Sequence, residues 1–188
     1  MKDIVHQEIY EHIKVANSIF DLSKDIIDCA KLCNECLKNE GKVLLFGNGG
    51  SASDAQHIAA ELVGRYKMER SGLAAIALTT DTSVITSIGN DFGYNNIFRR
   101  QVEAIANKGD ILIGISTSGK SDNVINALKL AKKINCTPIG MSGRNGGEMN
   151  KICKINLVIS SEDTARIQEM HILIGHIICN LIDQEFKS

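Results

Sequence analysis

Apolar side chains recur every three to four residues through the first forty positions: Ile9, Ile13, Ala16 and Phe20, then Ile26, Cys29, Ala30, Cys33 and Leu37. That period marks amphipathic helix. A helical arm is therefore predicted over 1–40, broken near Asp21 to Ser23, where short polar side chains can cap a second helix, and stopped by Glu40-Gly41. Beyond Gly41 the pattern changes. Apolar runs at 43–46, 74–78, 111–115, 137–141 and 155–159 end in small polar residues, and none alternates, as befits parallel strands buried on both faces. Helical stretches at 51–65, 95–107, 121–134 and 162–186 separate or follow them. The pattern predicts one α/β domain over 1–188. Its core, 41–188, is a doubly wound five-stranded parallel sheet flanked by helices, and the arm precedes it.

In such sheets ligands bind beyond the carboxyl ends of the strands, which directs attention to two loops. The first, Gly47-Asn48-Gly49-Gly50-Ser51-Ala52, follows the first strand and opens a helix. It matches the dinucleotide fingerprint G-x-G-x-x-A, but the acid that a ribose needs at the end of the second strand, about 20 residues on, is missing; the first acid there, Asp81, comes too late. The second, Gly114 to Ser121, satisfies the literal nucleotide-binding pattern G-x-x-x-x-G-K-[ST], yet Gly114 falls inside an apolar run and no strand ends in a convincing magnesium-binding aspartate. What remains is a turn rich in hydroxyls, Ser116, Thr117, Ser118 and Ser121, at the start of a helix. Hydroxyls, free N–H groups and the helix dipole there favour a phosphate monoester. A plain helix cap needs only one serine.

Several side chains could carry chemistry. His57 and Glu61 are four apart on one helix and project from one face; the spacing suits two metal ligands, a base beside its partner, or an ordinary surface pair. In the last helix, Gln168 and His176 stand about 80° apart on the helical wheel, and Glu169 about 20° from His176. Glu169 could satisfy a buried histidine, while His57, Glu61, Gln168 and His176 together make an N2O2 zinc set. Asn90-Asp91-Phe92-Gly93 reads as a loop that orients a polyol or simply turns. His6 and His12 read as solvated, and Tyr10, Tyr66 and Tyr94 belong to no legible constellation.

Composition narrows the classes further. The chain has 188 residues, with Lys+Arg 21 against Asp+Glu 22, 44% hydrophobic and 23% charged residues. That is globular composition rather than disorder, and without a basic excess nucleic acid is not expected as a partner. A single proline, Pro138, no tryptophan and 4% aromatics predict long helices around an aliphatic core. The charged N-terminus and the lack of an 18-residue apolar stretch argue against export and membrane insertion, so a cytoplasmic protein is expected. Six cysteines then read as reduced, Cys29, Cys33 and Cys36 as small thiols on a packing stripe.

Taken together, GNGGSASDAQHIAAEL, SIGNDFGYNNIF, GISTSGKSDNV and RIQEMHILIGHIICNLI resemble the sugar-isomerase (SIS) domain superfamily, and within it the phosphoheptose isomerases, along essentially the whole chain. The resemblance implies a homotetramer with active sites between subunits. It also implies conversion of sedoheptulose 7-phosphate to D-glycero-D-manno-heptose 7-phosphate, on the way to the heptose of lipopolysaccharide or capsule. By position it implies that Ser116, Thr117, Ser118 and Ser121 hold the phosphate, and that Asn48, Gly49, Gly50, Glu61, Asn90, Asp91 and Gln168 meet the sugar. His57, Glu61, Gln168 and His176 would hold one Zn2+ per subunit, with Glu61 and His176 the acid-base pair. Lys120 replaces a small polar residue expected in the phosphate loop. Some relatives look instead like tetrameric adaptors that bind a replication-initiation protein; an adaptor has no need of the zinc positions and complete phosphate loop present here. Sugar-phosphate-sensing regulators carry a DNA-binding module for which this chain has no room.

Overall fold

The computed structural model describes residues 1–187. Five strands, β1 (Val43–Gly47), β2 (Ala75–Ala77), β3 (Ile111–Ser116), β4 (Thr137–Gly143) and β5 (Ile155–Ile159), form one parallel sheet in the order β2-β1-β3-β4-β5. Eight α-helices accompany them: α1 (Lys2–Ser18), α2 (Ser23–Lys38), α3 (Gly50–Val63), α4 (Thr82–Phe92), α5 (Ile97–Ile105), α6 (Asp122–Lys133), α7 (Met149–Ile152) and α8 (Thr164–Phe186). This is the doubly wound arrangement expected of the apolar runs. Every residue of β1 and β3 is buried, which is why neither run alternates. Successive side chains leave a strand on opposite faces, so Val43 and Leu45 join Ile113 and Ile139 beneath α2, α3 and α8, while Leu44, Phe46 and Leu112 pack under α5, α6 and α7.

The arm breaks where expected, at a 3-10 turn over Ile19–Leu22. The cap differs. Leu22 occupies the N-cap of α2 without a side-chain bond, and the Ser23 hydroxyl instead donates backward to Phe20 O at 2.6 Å. Glu40 adopts φ 61° and the Gly41 N–H bonds Cys36 O at 2.9 Å, closing α2. Helix α2 buries Ile26, Cys29, Ala30 and Cys33 at helical spacing, whereas α1 buries nothing within the chain. Helix α1 is tied to α8 by polar contacts. Arg166 Nη1 donates to Glu8 O and Oε2 at 2.7 and 2.9 Å, and His12 pairs with Glu169 at 2.8 Å. His12 is thus half-buried rather than solvated, and Glu169 serves it and Arg166 rather than His176.

Two helices were not anticipated, the single turn α7 and the longer α4. Helix α4 has no fully buried residue, although Val84, Ile85, Ile88 and Phe92 recur at helical spacing and Ile85 and Ile88 pack against the core under α5 and α6. Its N-cap is Asp81, whose carboxylate accepts the Val84 N–H at 2.9 Å; the acid that came too late for a ribose caps a helix. Asn90 and Asp91 consequently lie in the last turn of α4, not in a loop. Among the described residues no helix is long and apolar enough to cross a membrane.

His171 is fully buried beneath β4, with its Nε2 3.1 Å from Ser142 O. Burial opposes the imidazolium and lowers its pKa from 6.5 to about 4, against a smaller raising effect of that hydrogen bond. The folded state therefore disfavours protonation: stability from this ring is complete above pH 6.5 and is lost as pH falls toward 4, by about 3 kcal/mol over that window. Urea unfolding of wild type and His171→Gln at pH 7 and 4.5 checks this. The variant is expected to be less stable at pH 7 but to lose less on acidification.

Candidate functional site

In the order β2-β1-β3-β4-β5 the winding reverses between β1 and β3, and there the connections leave the strand ends on opposite faces of the sheet and open a crevice. Both loops singled out in the sequence border it. They are joined by a reciprocal amide pair: Asn48 Nδ2 donates to Asn123 Oδ1 at 2.9 Å, and Asn123 Nδ2 to Asn48 Oδ1 at 2.8 Å. The Tyr94 hydroxyl also donates to Asn48 Oδ1, at 3.0 Å, bringing the segment after α4 to the same point. The Asn48 side chain is thus largely committed to bracing the crevice. Asn90 and Asp91, bonded to each other at 2.8 Å, are exposed just before that segment.

In the hydroxyl loop, Ser116 Oγ lies 2.9 Å from Ser121 Oγ and 3.5 Å from Ser118 Oγ, and the Lys120 N–H meets Ser118 Oγ at 3.2 Å. Ser116 is buried, Thr117, Ser118 and Ser121 are half-buried, and the Lys120 side chain is exposed. Ser121 sits at the N-cap of α6 yet makes no side-chain capping bond. The hydroxyls are therefore gathered on one another rather than spent on closing the helix, which leaves them and the first N–H groups of α6 available to an anion. The turn is braced from behind, where the Glu148 N–H bonds Gly119 O at 3.1 Å.

The second cluster lies between α3 and α8. These helices run parallel and close: a Cβ at Gly175 would lie 2.5 Å from Ile58 Cδ1, and one at Gly50 would lie 2.5 Å from Gln168 Nε2. Their approach brings His57, Glu61 and His176 together, so that one ligand atom from each lies within 4.8 Å of the others. His57 Nε2 is 3.2 Å from Glu61 Oε1 and 3.4 Å from His176 Nε2. Two imidazole nitrogens and a carboxylate oxygen converging without an intervening cation-bearing side chain form a donor set that fits zinc, with room for a further ligand. The Gln168 amide rests against Gly50, and its Cα precedes that of His176 by eight residues, about 12 Å of helix axis.

Other members of the site were not legible in the sequence. The Tyr66 ring is stacked on His176, and Tyr94 and Asn123 fix Asn48. Asp54, one turn before His57, has a buried Oδ2 without a partner. Burial pushes its carboxyl up to about 6, with His57 acting in the opposite sense. A three-residue spacing to His57 could have drawn attention to Asp54; no local spacing points to Tyr66 or Tyr94.

Residues 11–143 match the SIS domain family. A phosphoheptose isomerase of Aliarcobacter butzleri is 59% identical over 188 residues, covering 100% of both chains. One from Campylobacter jejuni is 58% identical over 186 residues, covering 99% of this chain and 100% of its own. Among solved structures, phosphoheptose isomerase GmhA from Neisseria gonorrhoeae superposes with a TM-score of 0.92 at 44% identity, over 97% of this chain and 98% of that one.

The brace between the two loops has a measurable consequence. Asn48→Ala strips the buried Asn123 amide of both its cross-loop partners, and is expected to lower unfolding free energy by about 1–3 kcal/mol. Urea titration measures the loss.

Proposed function

The chain belongs to the phosphoheptose isomerases of the SIS domain family, and from that premise we propose that it converts sedoheptulose 7-phosphate to D-glycero-D-manno-heptose 7-phosphate through an enediolate, assisted by zinc. The observation that carries this reading is the convergence of His57, Glu61 and His176 in a protein that also gathers four hydroxyl side chains at the start of α6.

In this reading the phosphate lies among Ser116, Thr117, Ser118 and Ser121 and the N–H groups of α6, which supply hydrogen bonds and the positive end of a helix dipole. Lys120 adds a charge at the rim. The polyol runs along the Asn48-Gly49-Gly50 backbone, with Asn90, Asp91 and Gln168 addressing its hydroxyls. Gln168 would address the sugar and serve as the fourth ligand of the metal. At the reacting end, isomerisation removes a proton from C1 and returns one to C2, while the two oxygens exchange hydroxyl and carbonyl character. Glu61 takes the C1 proton and delivers it to C2. Its Oε1 faces His57 at 3.2 Å, leaving Oε2 for carbon. His176 donates to and accepts from the oxygens. Zinc, when held by His57, Glu61 and His176, supplies Lewis-acid stabilisation of the charge that develops on those oxygens.

The assembly proposed is a homotetramer. Its support is an apolar groove of about 380 Å³ between the arm and α8, lined by Ile26, Ile27, Leu173, Ile177 and Leu181 with Phe20 exposed beside it. A neighbouring copy packed there would cover this face and complete pockets left open in one chain. We place the enzyme in the cytoplasm, at the start of heptose supply for lipopolysaccharide or capsule.

Incubation with sedoheptulose 7-phosphate, with chelator and with added zinc, tests the reading. Aldose product is expected with zinc and is expected to fall on chelation; none under any condition overturns the assignment. Glu61→Gln is expected to lower kcat by about 10²–10⁴, and near wild-type turnover would move the base elsewhere.

A further inference from the structure

The loop after α3, residues 64–73, meets the cluster at one point, where Tyr66 lies face to face with His176. Their centroids are 5.2 Å apart and their planes 11° from parallel. His57 approaches the same imidazole edge-on, at 4.9 Å and 79°. Among the described residues, the hydrogen bond of His176 is the one to His57, on the nitrogen that faces the cluster. A ligating histidine ordinarily has its direction set by a carboxylate or carbonyl on its other nitrogen. His176 has no such partner among the described residues, so the Tyr66 face is what restrains the turn of its ring.

We propose that Tyr66 is a positioning residue for His176, holding the imidazole so that its Nε2 points at His57 and Glu61. The assignment rests on the zinc-assisted isomerase reading and adds a residue to it.

The placement of Tyr66 is over-determined by a buried ion pair. Arg70 Nε donates to Asp183 Oδ1 at 2.7 Å, and both side chains are fully buried. Asp183 Oδ2 accepts the N–H groups of Lys67 and Met68, at 2.7 and 3.0 Å, the two peptides that follow Tyr66. The rest of the guanidinium binds carbonyls: Nη1 those of Leu62 and Ser71 at 2.9 and 3.0 Å, Nη2 that of Glu61 at 2.9 Å. Asp183 stands seven residues after His176, two turns along the same side of α8. One pair thus fastens three things: the end of α3 just where Glu61 leaves it, the backbone beside Tyr66, and the helix that carries His176. A buried pair adds little net stability over apolar replacements; what this one fixes is the register of loop against helices, and with it the seat of the aromatic ring.

The test separates ring face from hydroxyl and from bulk. Zinc affinity is measured by competition with a chromogenic chelator, alongside kcat and KM for sedoheptulose 7-phosphate, in wild type, Tyr66→Phe and Tyr66→Leu. The phenylalanine variant keeps the face and is expected to stay within about twofold of wild type in zinc affinity and kcat. The leucine variant is expected to bind zinc about 10-fold more weakly, the lower range for loss of a group that orients a ligand, and to show reduced kcat with KM unchanged. Tyr66→Met, which fills the space without a planar face, gives the same reading should the leucine variant melt early. Wild-type zinc affinity and kcat in the folded leucine or methionine variant overturns the proposal. So does an equal loss in the phenylalanine variant, which would point to the hydroxyl. Wild-type protein that neither binds zinc nor forms aldose refutes the isomerase reading itself, and the proposal with it.

Discussion

Helices α3 and α8 leave the carboxyl ends of β1 and β5 side by side, and the absence of a side chain at Gly175 lets Ile58 press against the backbone of α8. That contact sets the separation of two helices whose exposed rims carry His57, Glu61 and His176. Close-packed interiors respond to even one added methylene, so the distances in the cluster are fixed by apolar packing beneath it rather than by the polar groups themselves. The same parallel run places Gln168 over Gly50, and so couples the start of α8 to the loop after β1. The site is therefore a surface expression of the core.

The two halves of the crevice use different chemistry. One end is built from hydroxyls, N–H groups and a helix terminus, which can hold an anion without surrounding it with fixed charge. The other end carries titratable side chains converging on one point. A nearly neutral chain is consistent with this division. The Asn48–Asn123 pair joins the two ends through uncharged amides and fixes their spacing without altering the field at either.

Much of this could be read along the chain, and the exceptions share a cause. Strands β1, β3 and β4 were legible because burial on both faces produces compact apolar runs, the partly exposed edge strands β2 and β5 because their runs are apolar too, and α8 because it is long and apolar. The hydroxyl loop was legible because its four side chains are local. Helix α4 was missed although Val84, Ile85, Ile88 and Phe92 recur at helical spacing, and the α2 cap because a bend in the backbone did what a polar side chain was expected to do. His57 and Glu61 advertise themselves by spacing, but only the fold shows that His176 arrives beside them. Tyr66, Tyr94 and Asp183 act on residues remote in sequence, through contacts that no periodicity encodes.

The six cysteines, three of them on the packing stripe of α2, also bear on how this protein meets oxidants. All are free, and five of the six are buried. Burial raises Cys29, Cys153 and Cys179 to about 12 and Cys136 to about 11, and it raises Cys33 and Cys36 as well. At neutral pH a thiol with a pKa near 11 is ionised on the order of one part in ten thousand, and thiolate is the form that reacts with peroxide and disulfides. The cysteine content that would suggest a redox-responsive protein instead belongs to one whose thiols are held mostly protonated by burial while it stays folded, so oxidative damage to them should report unfolding.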